Sequence, residues 1–130
     1  MMNRQSLMTI AAGVSIISGL AGLFAPAQLA ALFGVTLDDV AMSQARLLGA
    51  AYLGYAAIAW LARDVTDRAA VRAIALGSAL SWAISAIVTA MIVITGLAGA
   101  QTWVLVAVQA AFATAWASFA TAERTNVAPA

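Results

Sequence analysis

Residues 44–63 read QARLLGAAYLGYAAIAWLAR: Arg46, then sixteen residues without a formal charge, then Arg63. As an α-helix, the segment between the arginines rises about 25 Å, at about 1.5 Å per residue. The hydrocarbon core of a bilayer is about 30 Å thick. Arg63 at one boundary therefore leaves Arg46 a few ångströms inside the other, where its side chain leans back toward the helix N-terminus and can snorkel to the interface.

The same pattern recurs along the chain. Apolar runs near 6–25, 40–62, 71–95 and 103–122 are each long enough to cross a bilayer as a helix. Their breaks are chemically marked by Pro26 after the first, RDVTDRAAVR between the second and third, and GLAGAQT between the third and fourth. Only 8% of the 130 residues are charged and mean hydropathy is +0.99. A soluble domain carries about a quarter charged residues, so this chain cannot coat a core with polar surface. The expectation is one all-α domain over 1–130, an integral membrane antiparallel four-helix bundle.

Arginine placement orients the bundle. Arg4 precedes the first span, Arg63, Arg68 and Arg72 separate the second and third, and Arg124 follows the fourth. Four crossings put all of these on one face, and the positive-inside rule makes that face, with both termini, cytoplasmic. Arg4, an apolar run and Ala25-Pro26-Ala27 also imitate a cleavable signal peptide. The run of about 19 residues exceeds the 7–15 typical of such a segment, which favours a retained first helix.

The loop after the first span has its own signals. PAQLAALFG opens with Pro26, suited to a first helical turn, and closes with Gly34, suited to a stop. Leu29, Leu32 and Phe33 fall to one side, as in a short helix lying in the interface. Thr36-Leu37-Asp38-Asp39 has the form of a capping box, which starts the second span near Leu37.

Small residues lie on every span: Ser15 with Gly19, Ser18 with Gly22, Gly49 and Gly54, Gly77 with Ser81 and Ser85, and Ala110 with Thr114 and Ser118. Helices in lipid associate through such close contacts and through buried polar bonds.

Composition excludes much chemistry. The chain has no cysteine and no histidine, so disulfides, thiolate catalysis, imidazole ligation of haem and ordinary zinc or copper sites are out. A formal charge of +1 offers no field for nucleic acid. The spans hold no carboxylate to relay protons and the chain no phosphate-binding glycine loop, so no catalytic residue is assigned and no cofactor is required.

Two groups of residues remain as candidates. Arg46, Tyr52, Tyr55, Trp82 and Gln109 could wall a small amphipathic pocket for a quinone or a lipid headgroup, with the arginine's planar fork holding an anion. Against this, Arg46 near a boundary suits an anchor, with Asp39 a partner two turns above. Buried tyrosines ordinarily bond across helices. Trp60 and Trp103 occupy belt positions, and Trp82 suits packing. Ser78, Ser81, Ser85 and Thr89 could line a polar path along the third span, although hydroxyls in lipid often bond their own i−4 carbonyls. Asp64, Asp67 and Arg68 are expected in a solvated turn.

A first span ending FAP, then AALFGV, then RLLGAAYLGYAAIAWLAR with the R-x-x-G-A element Arg46–Ala50, and two further spans, resembles the DoxX-like superfamily of small four-helix bacterial membrane proteins. The resemblance implies a multi-pass protein of the bacterial cytoplasmic (inner) membrane. Some such proteins are accessory subunits of membrane oxidoreductase or quinol oxidase complexes. It carries no catalytic residue onto this chain.

Three functions are thus expected in order. The first is a non-catalytic accessory or self-associating subunit, homo-oligomeric or within a larger membrane complex, holding a lipid or quinone near the outer leaflet. The second is a small oligomeric transporter or channel using the hydroxyl path. The third is a membrane redox module.

Overall fold

A computed structural model describes residues 3–125, with side chains from 3 to 121. The described residues are helical and contain no strand: α1 (Arg4–Phe24), α2 (Pro26–Leu32), α3 (Asp39–Ala62), α4 (Arg68–Ile94), a 3-10 turn (Ala100–Thr102) and α5 (Trp103–Thr125). Four of these helices are long and apolar enough to cross a membrane, as a multi-pass membrane protein requires.

Short polar side chains start the long helices. Asn3, Asp38 and Asp67 each accept a bond of 2.7 Å from the backbone N–H three residues on, at Ser6, Ala41 and Ala70. Each bond satisfies one of the four orphan donors of a helix start. Two expectations are corrected here. The cap of α3 is Asp38 rather than Thr36, because the Asp38 carboxylate reaches Ala41 while Asp39 enters the first turn, where negative charge suits the helix dipole. The turn before α4 is shorter than expected: Asp67 is the cap and Arg68 the first helical residue, rather than members of a solvated loop.

Glycine ends two helices. Gly34 (φ +72°) follows α2 and Gly96 (φ +76°) follows α4, both in the left-handed region. At each, the glycine N–H and the next residue's N–H bond back to carbonyls of the last turn: Gly34 to Ala31, Val35 to Ala30, Gly96 to Val93 and Leu97 to Ile92. This is the Schellman arrangement.

The chain divides into two units, Met1–Asp64 and Val65–Ala130. In the first, α1 and α3 run antiparallel: Gly22 lies against Ala45 and Gly49, Gly19 against Gly49 and Leu53, and Gln5 bonds Asp64 just past the end of α3. The buried side of α1 is Leu7, Met8, Ala11, Ala12, Ser15, Gly19 and Gly22, a helical repeat of one stripe. In the second unit, α4 and α5 form a helical hairpin, and Trp82 of α4 stacks on Phe112 of α5 with ring centroids 4.8 Å apart and planes 18° from parallel.

Large apolar side chains remain outside. Phe24, Leu61 and Ile94 are 77%, 75% and 74% exposed, and Leu80, Ile87 and Val104 are likewise exposed. Apolar exposure on this scale is costly in water and suits hydrocarbon. Hydroxyls on these surfaces are mostly internally satisfied: Thr114 donates to Ala110, Ser118 to Ala115, and Thr121 to Ala117 and Ser118, all on α5. Such back-bonding makes a serine or threonine behave as a small apolar residue toward lipid.

Candidate functional site

The five residues expected to wall a pocket fall into both units. Arg46, Tyr52 and Tyr55 are on α3 of the first; Trp82 and Gln109 are on α4 and α5 of the second. On α3 itself, Arg46 stands apart from the tyrosines. At about 100° per residue, Tyr55 lies on the opposite side of the helix and Tyr52 roughly two-thirds of a turn round. Arg46 is exposed, whereas both tyrosines are half-buried. Arg46 makes no ion pair with Asp39; the ion pair among the described residues joins Arg63 Nε to Asp64 Oδ2 at 3.2 Å.

That ion pair belongs to a polar knot at the opposite end of α3. The Arg63 guanidinium lies 3.5 Å above the centroid of the Trp60 ring, and Asp64 Oδ1 accepts a 3.3 Å bond from Gln5 Nε2. Cation and carboxylate are thereby compensated within the chain, with the indole adding a cation–π contact. Asp64 thus has specific partners, beyond the solvated role expected of it. No local signal in the sequence announces the bond from Gln5, fifty-nine residues away.

In the second unit Ser78 on α4, Thr102 in the 3-10 turn and Gln109 on α5 are buried polar residues. Gln109 and Trp116, two turns apart, are 4% and 1% exposed, with Phe112 between them. Gln109 Oε1 and Trp116 Nε1 are buried without a hydrogen-bond partner among the described residues. Burying an unpaired acceptor or donor costs about 1–3 kcal/mol. Trp116 and Phe112 were not among the sequence candidates. Their four-residue spacing on the Gln109 side was the available signal.

This chemistry tests the ligands expected from the sequence. The orphaned Gln109 oxygen calls for a donor, so a molecule there must bring an O–H or N–H group. A lipid hydroxyl or a quinol has one; an oxidised quinone brings acceptors only, which suit the orphaned Trp116 N–H instead. Trp82, buried and stacked on Phe112, is committed to packing α4 on α5, so its face toward Phe112 is closed to a ligand ring.

The four hydroxyls of the expected path do not share one environment. Ser78 is buried, Ser85 and Thr89 are half-buried, and Ser81 is exposed. Four-residue spacing drifts by about 40° per step around a helix, which carries Ser81 off the side that holds Ser78 and Thr89. Among the described residues no group of histidine, cysteine or carboxylate side chains could hold a metal ion. Comparisons with protein-family models, with curated proteins and with solved structures gave no match.

Proposed function

We propose that this chain is a small non-catalytic integral membrane protein of the bacterial cytoplasmic membrane, similar in type to the DoxX-like superfamily. Its four long helices form an antiparallel bundle with both termini cytoplasmic. It acts as an accessory or self-associating subunit, in a homo-oligomer or a larger membrane complex, and holds a lipid or quinone near the outer leaflet. The observation that carries this reading is the pairing of lipid-facing isoleucine, leucine and phenylalanine on the helix exteriors with a glycine seam between α1 and α3. That combination is how helices associate where hydrocarbon is the solvent. A lipid hydroxyl answers the unpaired Gln109 oxygen, and a quinone carbonyl answers the unpaired Trp116 N–H.

Topology is directly measurable because the native chain is free of cysteine. Single cysteines at Thr66 and Ala98, between the second and third spans and between the third and fourth, are labelled in intact cells with a membrane-impermeant maleimide. The proposal expects labelling of A98C from outside and of T66C only after lysis. The reverse pattern overturns the orientation, and release of the protein by alkaline carbonate overturns the membrane reading altogether.

A further inference from the structure

Two buried groups of opposite hydrogen-bonding kind lie on one side of α5. Gln109 Oε1 is an acceptor and Trp116 Nε1 a donor, on side chains 4% and 1% exposed, and neither has a partner among the described residues. Seven residues separate them by about 10 Å along the helix and only about 20° around it. One molecule that satisfies both must carry a donor at one end and an acceptor at the other.

Depth and charge narrow its chemistry. Gln109 lies about 9 Å past the start of α5 at Trp103, and Trp116 about 8 Å short of the end of the apolar span at Thr121. Neither is level with the ends of the span, where the glycerol and phosphate groups of a bilayer lipid sit. The sequence has no charged residue from Trp103 to Ala122 on α5, or from Ala73 to Ile94 on α4, so nothing in the hairpin compensates a charge at this depth. The molecule is therefore neutral and lipid-soluble.

Spacing sets its size. Both side chains lean toward the start of α5, so their tips keep roughly the separation of their Cα atoms. With a hydrogen bond of about 2.8 Å at each end, about 5 Å remains between the two oxygens of the molecule. Para oxygens across a benzene ring have that separation, and Phe112, between the two residues on α5, gives the ring an aromatic neighbour. An oxidised quinone would leave the Gln109 oxygen unpaired, whereas a hydroquinone supplies its O–H. Nothing bonds that oxygen in place, and the flanking Val108 and Ala110 are exposed, so the Gln109 side chain can turn aside to admit the ring.

We infer that Gln109 and Trp116 bind a lipid-soluble hydroquinone, one O–H donating to Gln109 Oε1 and the other oxygen accepting from Trp116 Nε1. This rests on the membrane reading above and names the chemistry of the molecule held there.

Native mass spectrometry of the full chain tests it with four probes: a short-chain ubiquinol, its oxidised quinone, its dimethyl ether and a diacylglycerol. Wild type is expected to retain the quinol about tenfold better than the dimethyl ether, which has lost the donor, the effect of one hydrogen bond to a buried group. Gln109→Leu should lower quinol retention about tenfold and leave the oxidised quinone within about twofold, since the quinone has no O–H for Gln109. Trp116→Phe keeps a ring, removes the N–H, and should lower both. Each variant removes an orphaned polar atom, so neither should melt below wild type by more than about 1 kcal/mol, and the wild-type ranking of probes needs no variant. Equal retention of quinol and dimethyl ether by wild type overturns the inference, as does a Gln109→Leu variant that weakens quinol and quinone alike. Diacylglycerol held as firmly as the quinol assigns the Gln109 oxygen to a lipid hydroxyl and also overturns it. Carbonate extraction of wild type runs alongside: a protein that extracts has failed the membrane reading, whereas one that stays in the membrane and ranks the probes equally has failed only this inference.

Discussion

Gly22 and Gly49 meet backbone to backbone: a Cβ on Gly22 would lie 3.2 Å from the Gly49 Cα, and one on Gly49 would lie 2.7 Å from the Leu23 amide nitrogen. Neither neighbour can move aside as a flexible side chain could. α1 and α3 approach this closely only because both positions lack a side chain, and the dispersion contacts along the seam depend on that approach.

Gly49→Ala should therefore push the helices apart and destabilise the first unit by about 1–3 kcal/mol, the usual range for overpacking. Gly54→Ala and Gly77→Ala, where an added Cβ meets nothing within 4 Å, should be neutral or gain up to about 1 kcal/mol of helix propensity. Thermal unfolding in detergent micelles, followed by circular dichroism, separates the three. Equal stability of the Gly49 and Gly54 variants would count decisively against the seam.

Gly96 stops α4 with a left-handed φ of +76°. Gly96→Ala is expected to lower stability by about 1 kcal/mol, whereas Gly96→Asn, which tolerates that conformation, should lose less. If alanine and asparagine behave alike in the same melt, the left-handed stop is not what the position requires.

Helix starts give a prediction that discriminates between two readings of one loop. Asp38→Ala removes the acceptor for Ala41 and should cost about 1 kcal/mol, and Asp67→Ala likewise at Ala70. Thr36→Ala should change little, since Asp38 is the cap. A larger loss at Thr36 than at Asp38 would restore the capping box expected from the sequence.

The Trp82–Phe112 stack ties α4 to α5. Phe112→Ala should cost about 3–5 kcal/mol through lost packing. A double-mutant cycle with Trp82→Leu should return a coupling of about 0.5–1.5 kcal/mol for the ring pair itself. Zero coupling would mean that the two rings contribute only separately.

Much of the fold was legible in the sequence. The four spans expected near 6–25, 40–62, 71–95 and 103–122 correspond to helices at Arg4–Phe24, Asp39–Ala62, Arg68–Ile94 and Trp103–Thr125. Lipid enforces this legibility, because a crossing helix needs a long uncharged run, and the breaks must carry the prolines, glycines and charges that a span refuses. The stop at Gly34 acts over three or four residues and was within reach of sequence reading, whereas the cap at Asp67, equally local, was read as part of a solvated turn. The Arg124 side chain, used to orient the last span, lies outside the described residues.

What the sequence by itself determined is the number, length and approximate ends of the apolar helices, and the exclusion of thiol and imidazole chemistry. Which small residues form a seam was decided by tertiary structure. Gly49 and Gly54 look alike in sequence, yet one touches the α1 backbone and the other faces open space. The direction of Arg46 was decided there too. It sits beside Ala45 and three residues before Gly49, both of which face α1, yet it is exposed. The physical reason is helix phase: each residue turns the chain by about 100°. An apolar stripe on every side leaves that phase unmarked until a second helix packs against it.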